Sequence, residues 1–227
     1  MVLSENQKYR DGITRRTASN EKIKKLGIIC FEDLPCIETS KDVQLKSIDL
    51  ICKKAIATLL VIQIACDIEA GDYEESMKIM GKMIDEFGVR EYMNRKEMKI
   101  LDGSYTEQDV TDVVWEYEVY WSLIWALGLV DEIEIPDSIC DCERAIRLVG
   151  DCKDYQEFKS HIKPRDIETI LDMLDLYYRY HWATTEHRIH PDAEIGALEG
   201  EVVVERRRGL EWLVSEEEDW YDISLDT

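Results

Sequence analysis

Apolar residues recur at three- and four-residue spacing along most of the chain, the spacing that places them on one face of an α-helix. The most apolar stretch runs from about Ser47 to Glu69 and ends before Gly71. A second stretch begins after Asp72 and ends before Gly88. Because only a short turn separates the two, we expect their helices to form an antiparallel hairpin.

Cap and stop signals divide the rest of the chain into further helices. Thr106 and Asp109 have the spacing of a capping box, and we expect their helix to run to about Leu127, before Gly128. Similar signals predict a short helix around residues 20–26 and a looser region over 89–105. A second short helix is expected from a cap at 138–141 to Gly150. A long helix should follow, with Pro164 in its first turn and its end at about Ile189, and a final helix is expected near 201–214. Residues 195–204 are ambiguous between helix and strand, since three valines lie at 202–204.

These elements predict an all-α, or nearly all-α, fold. The sequence shows no internal repeat at the period of a solenoid and no low-complexity linker, so we expect a single multi-helix domain of long antiparallel helices. Residues 1–45 are predicted to be a short irregular N-terminal segment packed on the helical domain of residues 46–227.

Charged residues occupy core positions in two of these helices. Glu118 fills the missing place between Val114 and Trp121 on the apolar face of its helix. In the final helix, Arg206 lies on the apolar face and Glu205 stands next to it. A buried charge costs several kcal/mol unless it is paired or reaches water, so these groups are the first candidates for a site.

The long helix that follows Pro164 has a similar pattern. His181 continues its apolar stripe, and Asp175 and Arg179 lie beside that stripe at the i,i+4 spacing that favours an ion pair. Gly209, in the middle of the final helix, costs about 1 kcal/mol relative to alanine. A glycine there indicates a close approach to another helix.

Two interpretations of these charges stand side by side. In the first, Glu118 and Glu205 meet Arg179 and Arg206 in a buried ion-pair network that is purely structural. In the second, they surround a polar pocket in which Glu118 and His181 are acid/base candidates. The pocket would then be framed by aromatic side chains, for which the candidates are Trp115, Trp121, Trp182 and Trp212.

The charge balance excludes several classes of partner. The formal net charge is −21, with 28 Lys and Arg against 49 Asp and Glu. Such a surface repels phosphate backbones and anionic membranes, so we expect neither nucleic acid nor membrane as a partner. A basic protein would be attracted.

The cysteines indicate a reducing compartment rather than a metal site. Their number, seven, is odd, and the chain starts without a secretory signal, so we expect free thiols and a cytoplasmic location. Cys140, Cys142 and Cys152 lack the paired spacing of a zinc ribbon. Near a predicted helix end, the spacing of metal ligands also occurs at Glu186, His187, His190 and Asp192. This spacing alone has low specificity for a metal site. We therefore expect no metal and no cofactor.

A series of motifs in the C-terminal half resembles the signature of the domain of unknown function 4272 family. The motifs are Trp-Glu-Tyr-Glu at 115–118, Trp-Ala-Leu-Gly-Leu at 125–129, Asp-Leu-Tyr-Tyr-Arg-Tyr-His-Trp-Ala at 175–183, the segment 203–213 and the ending at 220–227. Residues 16–19 and 34–35 match the Arg-x-x-Ser and Leu-Pro elements of the family. The chain departs from the pattern at Glu211, where the family has Asn, and at Tyr221, where it has Asp. The resemblance implies a helical domain and no particular activity.

We therefore expect a non-catalytic, acidic helical protein that acts through a protein partner, which is basic in one version, or as an accessory factor. The alternative is an enzyme or a small-molecule-binding protein that uses an aromatic-lined polar pocket. Glu118, Arg179, His181 and Glu205 would supply the polar groups of that pocket.

Overall fold

The computed structural model describes residues 10–133 and 135–227. Within them it has nine α-helices and no strand, so the predicted all-α fold is confirmed. The helices are α1 (Gly12–Lys25), α2 (Ile48–Ala70), α3 (Tyr73–Phe87), α4 (Arg95–Asp102), α5 (Glu107–Ala126), α6 (Cys142–Gly150), α7 (Tyr155–Ser160), α8 (Ile167–Ile189) and α9 (Gly200–Val214), with 3₁₀ turns at Arg90–Tyr92 and Trp220–Asp222.

The strongest sequence signals correspond to the observed helix ends. Ser47 caps α2 by accepting a hydrogen bond from the Leu50 amide, and Gly71 ends the helix in the left-handed conformation that glycine adopts without strain. The Thr106–Asp109 capping box that opens α5 is complete. The predicted bounds of α2, α3, α5, α6 and α9 are therefore confirmed to within a residue or two.

Two stretches in the N-terminal half hold more helix than predicted, in both cases because a side-chain cap starts a helix in a polar sequence. α1 begins at Gly12 rather than near residue 20, since the Asp11 carboxylate accepts from the Thr14 amide. The region 89–105, predicted to be looser, contains α4. Its start is a capping box between Asn94 and Glu97.

The C-terminal half differs from the prediction at two points, and one ambiguous stretch there is decided. Pro164 lies outside α8, because Asp166 is the N-cap of that helix. The short helix α7 was not predicted; Asp154 caps it. The ambiguous residues 195–204 contain no strand, and the valines at 202–204 belong to α9, where tertiary packing outweighs their preference for β structure.

The packing places α2, α5 and α9 at the centre. α2 packs against α3 and α5, α9 packs between α5 and α8, and α1 covers α8. An ideal Cβ on Gly209 would lie 2.9 Å from both the Cβ of Ser122 and the carbonyl oxygen of Val119. The close approach predicted from this mid-helix glycine is confirmed: it lets α9 lie directly on α5.

Among the described residues, no helix combines the length and apolar character needed to span a membrane.

Candidate functional site

Glu118 of α5 and Arg206 of α9 form a buried ion pair. The Arg206 Nε donates to Glu118 Oε2 at 2.8 Å, and the backbone amide of Cys140 donates to Glu118 Oε1 at 2.6 Å. Arg206 also donates through Nη2 to the Ser138 carbonyl and through Nη1 to the Tyr177 hydroxyl. Because both carboxylate oxygens are used, the pair ties α5 and α9 to the loop before α6.

Arg179 has a different partner from the one that the network interpretation expects. Its guanidinium makes a bidentate contact with Asp175 one turn earlier in α8, at 2.8 and 2.9 Å, and both side chains are buried. Arg179 Nη2 also donates to the Pro35 carbonyl at 3.3 Å. This pair therefore holds the N-terminal segment against α8.

His181 is bound to the residue next to Arg206. Its Nδ1 accepts a hydrogen bond from Arg207 Nη1 at 2.7 Å. Burial, and then the positive charge of Arg207, lower the pKa of His181 to about 4. The imidazole is therefore neutral at pH 7, and its hydrogen-bond partner is an arginine rather than Glu118.

Glu205 and the four candidate tryptophans are distributed over separate places. Glu205 pairs with Arg208 at 2.9 Å and shares a cavity of about 320 Å³ with Trp115 and Tyr221. Trp182 packs on Phe31, with ring centroids 5.7 Å apart. Trp212 meets the edge of Trp220. Trp121 alone among the four lines the cleft beside Arg206.

That cleft, which we call the Arg206 cleft, has a volume of about 920 Å³ and lies between α5, α9 and the loop that leads into α6. Its apolar lining consists of Trp121, Val130, Ile133, Ile135 and Ile139. The side chains of Ile135 and Ile139 are 51% and 63% exposed. Two large aliphatic side chains therefore face solvent at the cleft.

The charged lining of the Arg206 cleft is mainly acidic. It comprises the carboxylates of Asp131, Glu132, Asp137 and Asp141, and the guanidinium groups of Arg144 and Arg206. Arg206 is already neutralised by Glu118, which leaves Arg144 against four carboxylates. The Arg206 cleft thus combines exposed aliphatic side chains with an excess of negative charge.

A second buried polar cluster was not predicted. Lys54 of α2 pairs with Glu97 of α4 at 2.7 Å, and its ammonium group lies 3.9 Å from the centre of the Trp220 ring. Glu116 of α5 accepts from Asn94 Nδ2 at 2.8 Å and from the Tyr221 hydroxyl at 2.9 Å. The sequence signals available for this cluster are the Asn94–Glu97 capping box and a lysine within an apolar helix.

The cluster carries one positive charge and two carboxyl groups. Burial, and then the carboxylate of Glu97, raise the pKa of Glu116 well above its usual value. Glu116 Oε2 has no hydrogen-bond partner among the described residues, so it is the oxygen that can carry the proton, since Oε1 already accepts two hydrogen bonds. We infer that Glu116 is neutral in the folded protein.

The substitution Glu116→Gln tests this protonation state. A raised pKa means that the wild-type protein has its full stability contribution from Glu116 below about pH 4.5 and loses it as the pH rises through the folded-state pKa. Glutamine mimics the neutral carboxyl group at every pH. We expect the free energy of unfolding of the variant, measured with urea, to rise relative to wild type between about pH 5 and pH 8.

The control for this experiment is Glu97→Gln. That change removes the partner of the buried Lys54, so it should destabilise the protein at every pH in the range. Parallel curves for wild type and Glu116→Gln would contradict a neutral Glu116.

The two positions where the chain departs from the family signature both make contacts. Glu211 accepts hydrogen bonds from Arg207 Nε and Nη2 at 3.3 and 3.2 Å. Tyr221 donates to Glu116, as described above. Glu211 therefore binds a side chain of its own helix, α9, and Tyr221 joins the last 3₁₀ turn to α5.

The comparisons with known proteins agree with the motif series. A family model described as "Domain of unknown function (DUF4272)" matches residues 15–223. No curated protein and no solved structure matches the chain. The match extends from α1 to just beyond the last 3₁₀ turn and includes every candidate residue described above, and the chain therefore belongs to the DUF4272 family.

Proposed function

We propose that this protein binds a positively charged, partly apolar segment of a protein partner in the Arg206 cleft and performs no chemistry of its own there. The observation that carries the proposal is the composition of the cleft, where exposed Ile135 and Ile139 stand among four carboxylates. Exposed aliphatic side chains rimmed by charge are typical of protein-binding surfaces.

Charge complementarity determines the kind of partner. Of the two arginines at the cleft, Arg206 is paired with Glu118, and Arg144 donates to the Leu129 carbonyl at 3.4 Å. A partner segment with lysines or arginines beside leucine-like side chains would satisfy both the carboxylates and the apolar lining. The net charge of −21 would also speed its approach at low salt.

The alternative of an enzyme or small-molecule pocket has less support. Both oxygens of Glu118 accept hydrogen bonds, His181 is neutral and bound to Arg207, and Glu205 and Arg179 are paired with other residues. Each of the four groups therefore has its own local partner, and the four do not form one reacting centre.

As part of the same proposal we assign the protein to the cytoplasm. All seven cysteines are free thiols, which supports a reducing compartment.

A fluorescence anisotropy titration tests the proposal. The probe is a short labelled peptide of leucine and lysine, and the same peptide with glutamate in place of lysine is the control probe. We expect the lysine peptide to bind with salt-sensitive affinity. Neutralising the cleft with Asp131→Asn, Glu132→Gln and Asp137→Asn together should weaken binding by about tenfold, a loss of about 1.4 kcal/mol.

A matched variant separates the cleft from the overall charge. Glu74→Gln, Glu75→Gln and Asp102→Asn remove three exposed carboxylates elsewhere on the molecule, on α3 and α4. This variant should bind the peptide within about twofold of wild type, because exposed charges away from the contact are largely screened. Equal weakening by both triple variants, or no binding of the lysine peptide, would overturn the proposal.

A further inference from the structure

The last turn of α1 is a basic surface in an otherwise acidic chain. It contains Lys22, Lys24 and Lys25, which are all exposed, and no acidic residue. Lys24 pairs with the exposed Glu32. Leu26 follows and is 44% exposed, and it shares one face of the helix with Lys22 and Lys25, four and one positions before it. This surface, which we call the basic end of α1, therefore combines lysines with a leucine side chain.

Buried contacts fix α1 on α8. Ile23 and Arg15 are each 1% exposed, and the Arg15 guanidinium is paired with Glu168 and Asp172 of α8. Breaking a buried ion pair is costly, because it leaves a charge without its partner. The basic end of α1 therefore cannot leave α8 to enter the Arg206 cleft of its own molecule. A second molecule can supply it.

The basic end of α1 and the Arg206 cleft flank the same connecting segment between α8 and α9. An added Cβ on Gly196 would lie 3.8 Å from the Leu26 carbonyl oxygen. Three positions later, the Glu199 amide donates to the Pro136 carbonyl at 2.9 Å, and Pro136 lies between two residues of the cleft, at 135 and 137. Because three residues span at most about 11 Å, the basic surface and the acidic cleft are neighbours.

We propose that the partner of the Arg206 cleft is a second copy of this chain, in a two-fold dimer where the basic end of α1 of each protomer enters the cleft of the other. The inference rests on the proposed function, since it uses the same cleft. A two-fold interface places one surface patch against its own copy, so the patch has to be self-complementary. Here the lysines would meet the cleft carboxylates, and Leu26 would pack on Ile135 and Ile139.

Sedimentation of the full-length chain at two salt concentrations is the first measurement. At about 0.1 M salt the Debye length is about 10 Å, so most of the repulsion between two molecules of net charge −21 is screened while close contacts persist. We expect the mass to double with rising protein concentration under these conditions. At about 1 M salt the Debye length is about 3 Å, and the dimer should dissociate.

Charge reversal then identifies the two surfaces. Lys22→Glu with Lys25→Glu makes the end of α1 acidic, and Glu132→Lys with Asp137→Lys makes the cleft more basic; all four positions are exposed. Each double variant alone brings like charges together, so its dimer dissociation constant should rise by about tenfold or more. A mixture of the two variants should dimerise again, because both contacts of the mixed dimer then join opposite charges.

The control variant is Lys78→Glu with Lys82→Glu, which reverses two exposed lysines on α3 and should dimerise like wild type. A chain that stays monomeric at about 0.1 M salt, growth beyond a dimer, or a mixture of the reversed variants that stays monomeric would overturn the inference. If the chain is monomeric but the lysine peptide still binds, only the self-association is wrong. Loss of peptide binding to the monomer would overturn the proposed function as well.

Discussion

Arg206→Met is expected to lower the free energy of unfolding by about 3–5 kcal/mol, the usual cost of removing one partner from a buried ion pair. Methionine keeps much of the volume of the arginine but leaves the carboxylate of Glu118, which is 1% exposed, without its charged partner. The Ser138 carbonyl loses its hydrogen bond from Arg206 as well. Urea unfolding followed by circular dichroism at neutral pH measures the loss.

Two further variants establish the cause of that loss. Glu143→Gln removes the exposed ion pair with Arg147, and its effect should be about 0.5 kcal/mol or less. The double variant Glu118→Leu, Arg206→Met removes both buried charges and should recover most of the stability. An exposed ion pair contributes about 1 kcal/mol or less. If the free energy of unfolding of Arg206→Met is within about 1 kcal/mol of the wild-type value, the ion pair does not hold α5, α9 and the loop together.

Gly209→Ala is expected to destabilise the protein by about 1–3 kcal/mol, although alanine is the better helix former. The added Cβ would lie 2.9 Å from both the Ser122 Cβ and the Val119 carbonyl oxygen, and the latter belongs to the α5 backbone. Relief therefore requires α9 to move away from α5. Such a movement would loosen the packing around the Glu118–Arg206 pair, which joins the same two helices.

Gly81→Ala is the matched control for this substitution. Gly81 also lies inside a helix, α3, but an added Cβ would meet nothing within 4 Å. Alanine there should stabilise the protein by up to about 1 kcal/mol. Urea unfolding measures the change in the free energy of unfolding for both variants. If the two changes have the same sign, the contact with α5 does not determine the effect at Gly209.

The helices that could be predicted are those whose signals are local. Ser47 and Gly71 mark the two ends of α2, and the Thr106–Asp109 capping box marks the start of α5. The capping box of α4 is equally local, but this helix is short and polar. It lacks the long apolar stripe from which the longer helices were predicted, so α4 was not predicted. The pair of Asp175 and Arg179 is local as well, because one helical turn separates them.

The remaining contacts of the site depend on the tertiary structure. Glu118 and Arg206 are 88 positions apart, and Lys54 and Glu97 are 43 apart. The sequence placed Glu118 and Arg206 on core faces, but it could not assign their partners, because a charge on an apolar face is compatible with any opposite charge that another helix brings near. Arg206 and Arg207 are neighbours in the sequence, yet the first binds Glu118 and the second binds His181. The sequence alone could not assign these different partners.

The sequence by itself therefore determined the helical class, most helix ends, the close approach at Gly209 and the acidic character of the chain. These follow from periodicity, caps and composition, which act over a few residues or over the whole chain. Only the tertiary structure decided which buried charges pair and which residues line the Arg206 cleft. It also revealed the Lys54–Glu97–Glu116 cluster. These contacts arise from the packing of α2, α4, α5 and α9, and no pattern within a single helix specifies which side chain of a neighbouring helix it will meet.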